Sequence, residues 1–427
     1  MKIAVLGGGF AGISAAYYIS KKGHSVTLFE KESILGGLAA GFKQDNWDWY
    51  LEKAVHHWFS NDKDILSFVK DTGLKKVIFK SPLSASLYQD VINNYRIIPL
   101  DNPQSLFKFP YLNLLQKLKV AFVLVFLKTT PFLPIFEKIS AEKFLKKTMG
   151  KRAWKVLWKE LFRKKFGKYA GNIVASFIWA RINKRTKKLA YPYGGFQKLV
   201  YLSEKKLKQQ GVEIRKEESV ENIHMKGSKF FIQVNGKKDN YDAVISTLPT
   251  PVFTKIANRV FPLSYIKRLK KIKYLHAISL VIELKMSFFE KEYWVNIIDP
   301  KTPIMGIFEH TNFIDKKYYG GNNLLYSGNY VGFDDPLVKM TDKEIFNWYF
   351  TYLKRINPKL KKNHVINYFV FKGPFAQPIF DKDFIKNKPD FITPVKNFYI
   401  ANLDMTYPYD RGTNYAVKLG KEVAKLI

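Results

Sequence analysis

The first thirty residues constrain this chain more than any other stretch. Lys2 to Leu6 is an apolar run without strict alternation, the pattern of a strand buried on both faces of a parallel sheet. Gly7, Gly9 and Gly12 follow at once in G-x-G-x-x-G spacing, and a helical pattern carried by Ala11, Ala15, Ala16 and Ile19 stops at Gly23. Ser25 to Phe29 reads as a second strand. Glu30 ends it, at about the 20-residue separation expected between such glycines and an acid that accepts hydrogen bonds from a ribose diol. The first glycine lets the chain turn out of the strand, the second lets backbone approach a pyrophosphate, and the third lets helix and strand pack closely. The helix N-terminus adds free N–H groups and positive potential. In this order the elements specify a βαβ dinucleotide site.

At 427 residues the chain is long enough for two domains, or for one large domain with insertions. The absence of cysteine excludes disulfides, thiolate metal sites and cysteine nucleophiles. The seven histidines show no metal-ligand spacing, so no metal is expected. A formal charge of +35 favours anionic partners, but lysine supplies nearly all of it, whereas bidentate phosphate and base recognition favours arginine. With no nucleic-acid-binding motif present, no nucleic-acid partner is expected. Met1 leads straight into the first strand and leaves no room for a signal peptide, so the expected location is cytoplasmic, free or peripheral on the inner face of a membrane.

After Glu30 the loop Lys31 to Phe42 holds Leu35-Gly36-Gly37-Leu38, small residues that let backbone N–H groups come close to a bound cofactor. This pairing of motifs resembles the flavin-dependent amine oxidase superfamily, which includes protoporphyrinogen oxidases and phytoene desaturases. Many members carry arginine where this chain has Leu38, a departure toward the desaturase-like branches. The other end of the chain agrees: Phe398 to Ala401 is strand-like, Asn402 to Gly412 is a polar loop, and Thr413 to Ile427 reads as a helix. Members of the superfamily end this way, with the loop along the ribityl chain and the helix N-terminus toward the flavin, although the usual glycine after the strand is Asn402 here. The run Tyr407 to Ala416 resembles an uncharacterised desaturase-like branch.

The resemblance implies FAD as cofactor. The expected cofactor-binding set is Gly7, Gly9, Phe10, Ala11, Gly12, Glu30, Lys31, Gly36, Gly37, Leu38, Val220, Asn402, Asp404, Gly412, Thr413, Asn414 and Ala416, with Val220 at the adenine edge. The expected fold class is α/β: a Rossmann-like FAD-binding domain, discontinuous in sequence, plus an inserted α+β substrate domain with a helical, membrane-associating part. Residues 1–76, 191–255 and 390–427 are assigned to the first, and 77–190 and 256–389 to the second, with 109–188 helical, apolar and basic. Tyr191 to Phe196 resembles the turn at which relatives return to the dinucleotide domain.

Within the inserted part, Asp62 to Thr72 reads as a short amphipathic helix leading into it, and Val77 to Leu100 as strands broken by Pro82, Asn93 and Asn94. Val120 to Leu127 is the longest uninterrupted apolar run and is far shorter than the 17–25 residues a bilayer span needs. Flanked by Lys117, Lys119 and Lys128, it fits two readings equally: a monotopic patch on an anionic leaflet, or a buried helix lining an apolar tunnel. Tyr241 to Thr247 reads as a strand returning to the nucleotide sheet, His276 to Leu284 and Asn323 to Tyr330 as longer strands, and Asp342 to Ile356 as an amphipathic helix.

The aromatic stretch Trp47 to Phe59 holds Glu52, His56 and His57, polar groups that can face a substrate beside the flavin; His56 and His57 are the candidate proton acceptors. The expected function is an FAD-dependent oxidoreductase (oxidase, dehydrogenase or desaturase) that moves a hydride from an apolar small molecule to flavin N5 and is reoxidised by oxygen, a quinone or another acceptor. Two alternatives stand beside it: an isomerase like the sugar-nucleotide mutases, and a non-enzymatic binder on the same scaffold. Oligomeric state is not readable from the sequence.

Overall fold

The computed structural model describes residues 1–89 and 94–427, so the expected break at Asn93 lies outside the described residues. A five-stranded, fully parallel sheet is assembled from distant parts of the chain, in the order Glu213–Arg215, Ser25–Phe29, Lys2–Leu6, Ala243–Ser246 and Phe398–Ile400. Its central strand is buried from Ile3 to Leu6, which is why it carries no polar alternation. The helix Phe10–Ser20 covers one face, and the C-terminal helix Thr413–Val423 packs on that helix rather than on the sheet. The two ends of the chain are therefore neighbours.

The expected returning strand is really two elements. Lys237–Tyr241 closes an antiparallel sheet with Val220–Lys226 and Lys229–Val234, and Ala243–Ser246 enters the parallel sheet. The chain changes sheets at Asp242, whose N–H donates to the Lys2 carbonyl and whose carboxylate accepts the Lys2 N–H. The C-terminal helix is also shorter than read, giving way to a 3₁₀ turn at Ala424–Leu426.

A second, seven-stranded sheet runs in the order Val365–Pro378, Tyr274–Leu284, Asn323–Val331, Gly306–Glu309, Glu292–Ile297, Leu83–Gln89 and Tyr95–Pro99. Only the pairing of Glu292–Ile297 with Leu83–Gln89 is parallel. The helix Asp342–Ile356 begins at the expected residue because Thr341 and Glu344 form a reciprocal capping box, and it lies against this sheet.

Between the two sheets in sequence comes a helical group that includes Leu114–Thr129, Ala141–Thr148, Lys159–Phe166 and Ala175–Lys184. Leu114–Thr129 buries Val120, Val123 and Leu127 against the helices and leaves Leu114, Leu115, Leu118, Phe122 and Val125 exposed, Phe122 at 73%. Among the described residues no helix is long and apolar enough to cross a membrane.

Candidate functional site

At the carboxyl end of the central strand, the helix Phe10–Ser20 starts at Gly9 with no side chain capping it, so the N–H groups of its first turn remain free for an anion. A Cβ on Gly12 would fall on the Gly7 carbonyl oxygen, whereas a Cβ on Gly9 would meet nothing nearer than Gly37 Cα at 3.9 Å. Gly12 is thus required by the fold and Gly9 is not. Gly36 and Gly37, at φ 125° and 58°, carry the next loop back over Gly9 in a conformation that disfavours other residues.

The Glu30 carboxylate is held in this cradle by the N–H groups of Gly8 (2.8 Å) and Glu32 (3.0 Å). Its backbone carbonyl accepts the Glu218 N–H at 3.0 Å, which brings Val220, two residues on, into the neighbourhood of the acid. Lys31 turns away, with its ammonium 2.9 Å from Glu32 and its side chain at the surface, and Leu38 is exposed. The uncapped helix start, the open backbone at Gly9 and the fixed acid fit the pyrophosphate and ribose of a dinucleotide.

From the far end of the chain comes another uncapped helix start, at Gly412, on the helix that packs against Phe10–Ser20. Trp58 Nε1–H donates to Thr413 Oγ1 at 2.7 Å and the Ile65 N–H donates to Asn414 Oδ1 at 3.0 Å, while the Ala416 N–H is committed to the Gly412 carbonyl. Asn402 and Asp404 turn their side chains inward. Asn402 donates to the Leu248 carbonyl and to Thr250, and Asp404 accepts the hydroxyls of Thr250 and Tyr274. These two side chains knit the ends of neighbouring strands through Asn402 and Asp404 Oδ2, while Asp404 Oδ1 is buried without a hydrogen-bond partner among the described residues.

His56 and His57 stand two residues and one residue before Trp58, deep in the molecule yet partly accessible, as groups lining a recess are. His56 donates Nδ1–H to the Ala54 carbonyl at 2.7 Å, which leaves Nε2 as an acceptor. His57 Nδ1 is 3.0 Å from the Tyr293 hydroxyl. Burial lowers His56 to about 4, and burial together with Arg185 and His56 lowers His57 to about 3, so both rings are neutral.

Glu52 plays a different part from its neighbours in the same stretch. It is fully buried, and its carboxylate accepts the Tyr191 hydroxyl at 2.8 and 2.9 Å and the Phe196 N–H at 2.9 Å. It anchors the Tyr191 to Phe196 turn and does not face a substrate. Burial, outweighing these bonds, pushes its carboxyl from 4.5 up to about 7. An acid raised on folding contributes stability in full below its unfolded value and loses it as pH rises to the folded one. Across pH 4.5 to 7 that loss is at most about 3 kcal/mol. Glu52→Gln is expected to flatten the fall in melting temperature across that window, measured by circular dichroism at a series of pH values; an unchanged slope would show that Glu52 does not titrate there.

A cluster of cations borders the same recess. Lys165 and Arg181 share Asp410 at 2.9 and 3.3 Å, Arg185 lies over the Trp294 ring at 4.8 Å, and Arg411 donates to the Ala376 carbonyl and the Tyr330 hydroxyl. Trp294 also packs against His57, with ring centroids 5.7 Å apart. The sequence displays Arg181 in one helix with Arg185 just past its end, and Asp410 and Arg411 in the C-terminal loop, but no spacing rule joins them across more than two hundred residues.

The profile of a family described as flavin containing amine oxidoreductase matches residues 10–427. A 15-cis-phytoene desaturase of Synechococcus elongatus is 30% identical over 96 residues, 21% of this chain and 20% of that protein, so the matched part spans about a fifth of that relative's length. A chloroplastic 15-cis-phytoene desaturase of Glycine max is 20% identical over 100% of this chain and 79% of its own length. Cyclohexylamine oxidase from Brevibacterium oxydans shares the fold, with a TM-score of 0.76 over 100% of this chain and 98% of that one at 11% identity.

Proposed function

The chain belongs to the flavin containing amine oxidoreductase family, and on that premise we propose that it is an FAD-dependent oxidoreductase that takes a hydride from an apolar small molecule. The observation that carries this reading is the packing against each other of two helices with uncapped starts, at Gly9 and Gly412, from opposite ends of the chain. Residues 1–76, 191–255 and 390–427 form the FAD-binding part in this proposal, supported by the parallel sheet, whose strands come from all three pieces. Bound there, FAD would supply the hydride acceptor.

The residues supply the rest. The N–H groups following Gly9 would hold the pyrophosphate, Glu30 would take the ribose hydroxyls, and the helix start at Gly412 would stabilise negative charge on the reduced cofactor. Gly36, Gly37 and Leu38 would lie along the cofactor, and Val220 would offer its backbone to the adenine. His56 Nε2, neutral and unprotonated, receives the proton lost from the atom adjoining the oxidised carbon, whose bonding pair forms the new double bond as the C–H gives up its hydride, with His57 beside it. The aromatic rings of Tyr293, Trp294 and Tyr330 keep water from the reacting carbon.

The exposed apolar row from Leu114 to Val125 supports peripheral contact with an anionic membrane as the source of such a substrate, with Lys119 exposed beside it. The test is anaerobic bleaching of the purified holoprotein against a panel of amines, porphyrinogens and polyprenoids, offered in detergent or in phosphatidylglycerol vesicles. A polyprenoid or other apolar compound is expected to bleach the flavin, and the double variant L118E/F122E to slow only the vesicle-borne reaction, by about tenfold. Bleaching by small polar amines alone would sink the apolar reading, and equal slowing in detergent would sink the membrane contact.

A further inference from the structure

We propose that the recess beside His57 takes a substrate with an oxyanion head, a carboxylate or a phosphate, on Arg185, Arg411 and Lys165, so that the apolar molecule is an anionic amphiphile. This rests on the oxidoreductase reading above and adds the chemical class of the substrate's polar end.

The charge count is the first observation. Four cations, Lys165, Arg181, Arg185 and Arg411, face one carboxylate, Asp410, which already serves both Lys165 and Arg181. Among the described residues neither Arg185 nor Arg411 has a carboxylate within ion-pair distance. The nearest further acid acting on Arg185 is Asp101, which lies 3.7 Å from Lys187. Desolvated cations without acids are costly, and the cost is relieved when an anion arrives.

The cations are also held ready. Arg185 donates from Nη2 to Ser84 Oγ at 3.1 Å and lies over Trp294, with most of its five N–H donors unused among the described residues. Arg411 is fixed by the Ala376 carbonyl and by Tyr330, over whose ring it sits at 4.8 Å. Burial lowers both guanidinium groups to about 10 and Lys165 to about 8, so all three remain charged near neutrality. Planar donor forks fixed on aromatic faces suit a carboxylate or phosphate bound in two places.

The way in is the third observation. Lys128, at the end of the helix Leu114–Thr129, donates from Nζ to the Arg185 carbonyl at 2.6 Å and to the Asn183 carbonyl at 3.0 Å. The helix whose outer face is an exposed apolar row therefore ends against the backbone that carries Arg185. An amphiphile whose tail follows that row has its head delivered to the cations and its adjoining carbons to the His57 side of the recess.

The test uses three probes of equal chain length, octyl phosphate, octanoate and octylamine, titrated into FAD-loaded protein and followed by calorimetry and by the flavin difference spectrum. Both anions are expected to bind once per chain, with octylamine at least about tenfold weaker, and the ratio between the two anions assigns the head as phosphate or carboxylate. Arg185→Gln, whose side chain makes a single hydrogen bond, is expected to weaken the anions about tenfold while FAD content and melting temperature hold; Arg411→Gln is the second variant. Absence of anion binding, equal binding of octylamine, or unchanged affinity in both variants overturns the proposal. Protein that carries no FAD yet still binds the anions by calorimetry would instead count against the oxidoreductase reading alone.

Discussion

Replacing Gly9 with valine is expected to leave a folded chain that no longer retains FAD. A side chain at this position projects into open space in the protein, with Gly37 Cα at 3.9 Å as its nearest neighbour, and its extended backbone suits any residue. That space is where backbone must approach a pyrophosphate, so the cost falls on the cofactor. Losing direct contact with the phosphates and the helix N–H groups is expected to weaken FAD by about 100-fold or more, on the order of 3 kcal/mol. The glycine three residues on gives the contrast: at Gly12 the added carbon meets the Gly7 carbonyl, so Gly12→Ala should damage folding itself. The ratio of FAD to protein after gel filtration, read beside a thermal melt, separates the two. Stoichiometric FAD in folded Gly9→Val would show that the pyrophosphate lies elsewhere.

What the sequence made legible was local. Strand, glycines, helix and Glu30 are read within one stretch because each element fixes the next, and the start of Asp342–Ile356 is written in the Thr341 and Glu344 pair. The membership of Phe398–Ile400 in the first sheet followed from resemblance, since no pattern within three residues states which sheet they join. Longer-range facts were hidden. Val365–Pro378 mixes polar and apolar residues along its length and contains Gly373 and Pro374, so it does not read as a strand until its partner Tyr274–Leu284 is known. The tunnel and the surface reading of Leu114–Thr129 share one hydrophobic pattern, and only the packing of neighbouring helices leaves Phe122 outside. Glu52 and His57 are five residues apart and looked alike as polar groups in an aromatic run, yet one is a buried anchor and the other lines the recess. The cation cluster is the extreme case, built from three places in the chain that meet only in the fold.

The second large effect concerns the contact that makes one site from two ends. The C-terminal helix crosses the first helix at Gly420, where an added Cβ would lie 2.6 Å from Ala15 N and 2.7 Å from Ser14 Cβ, and closer still to the Ala11 carbonyl. Ser14 Oγ–H donates to the Val417 carbonyl at 2.8 Å and Lys22 Nζ to the Ala424 carbonyl at 2.8 Å, so the crossing is pinned on both sides of the glycine. Gly420→Leu must push the helices apart against these bonds and is expected to cost more than about 3 kcal/mol, with loss of FAD because the starts at Gly9 and Gly412 separate. Gly420→Ala makes the argument sharp by its sign. Helix propensity alone would stabilise an alanine there by about 1 kcal/mol, whereas the close approach predicts destabilisation. Denaturant unfolding of the two variants decides it: an alanine variant more stable than the parent would mean that the helices do not meet at this spacing and that the two halves of the cofactor site are held together by something else.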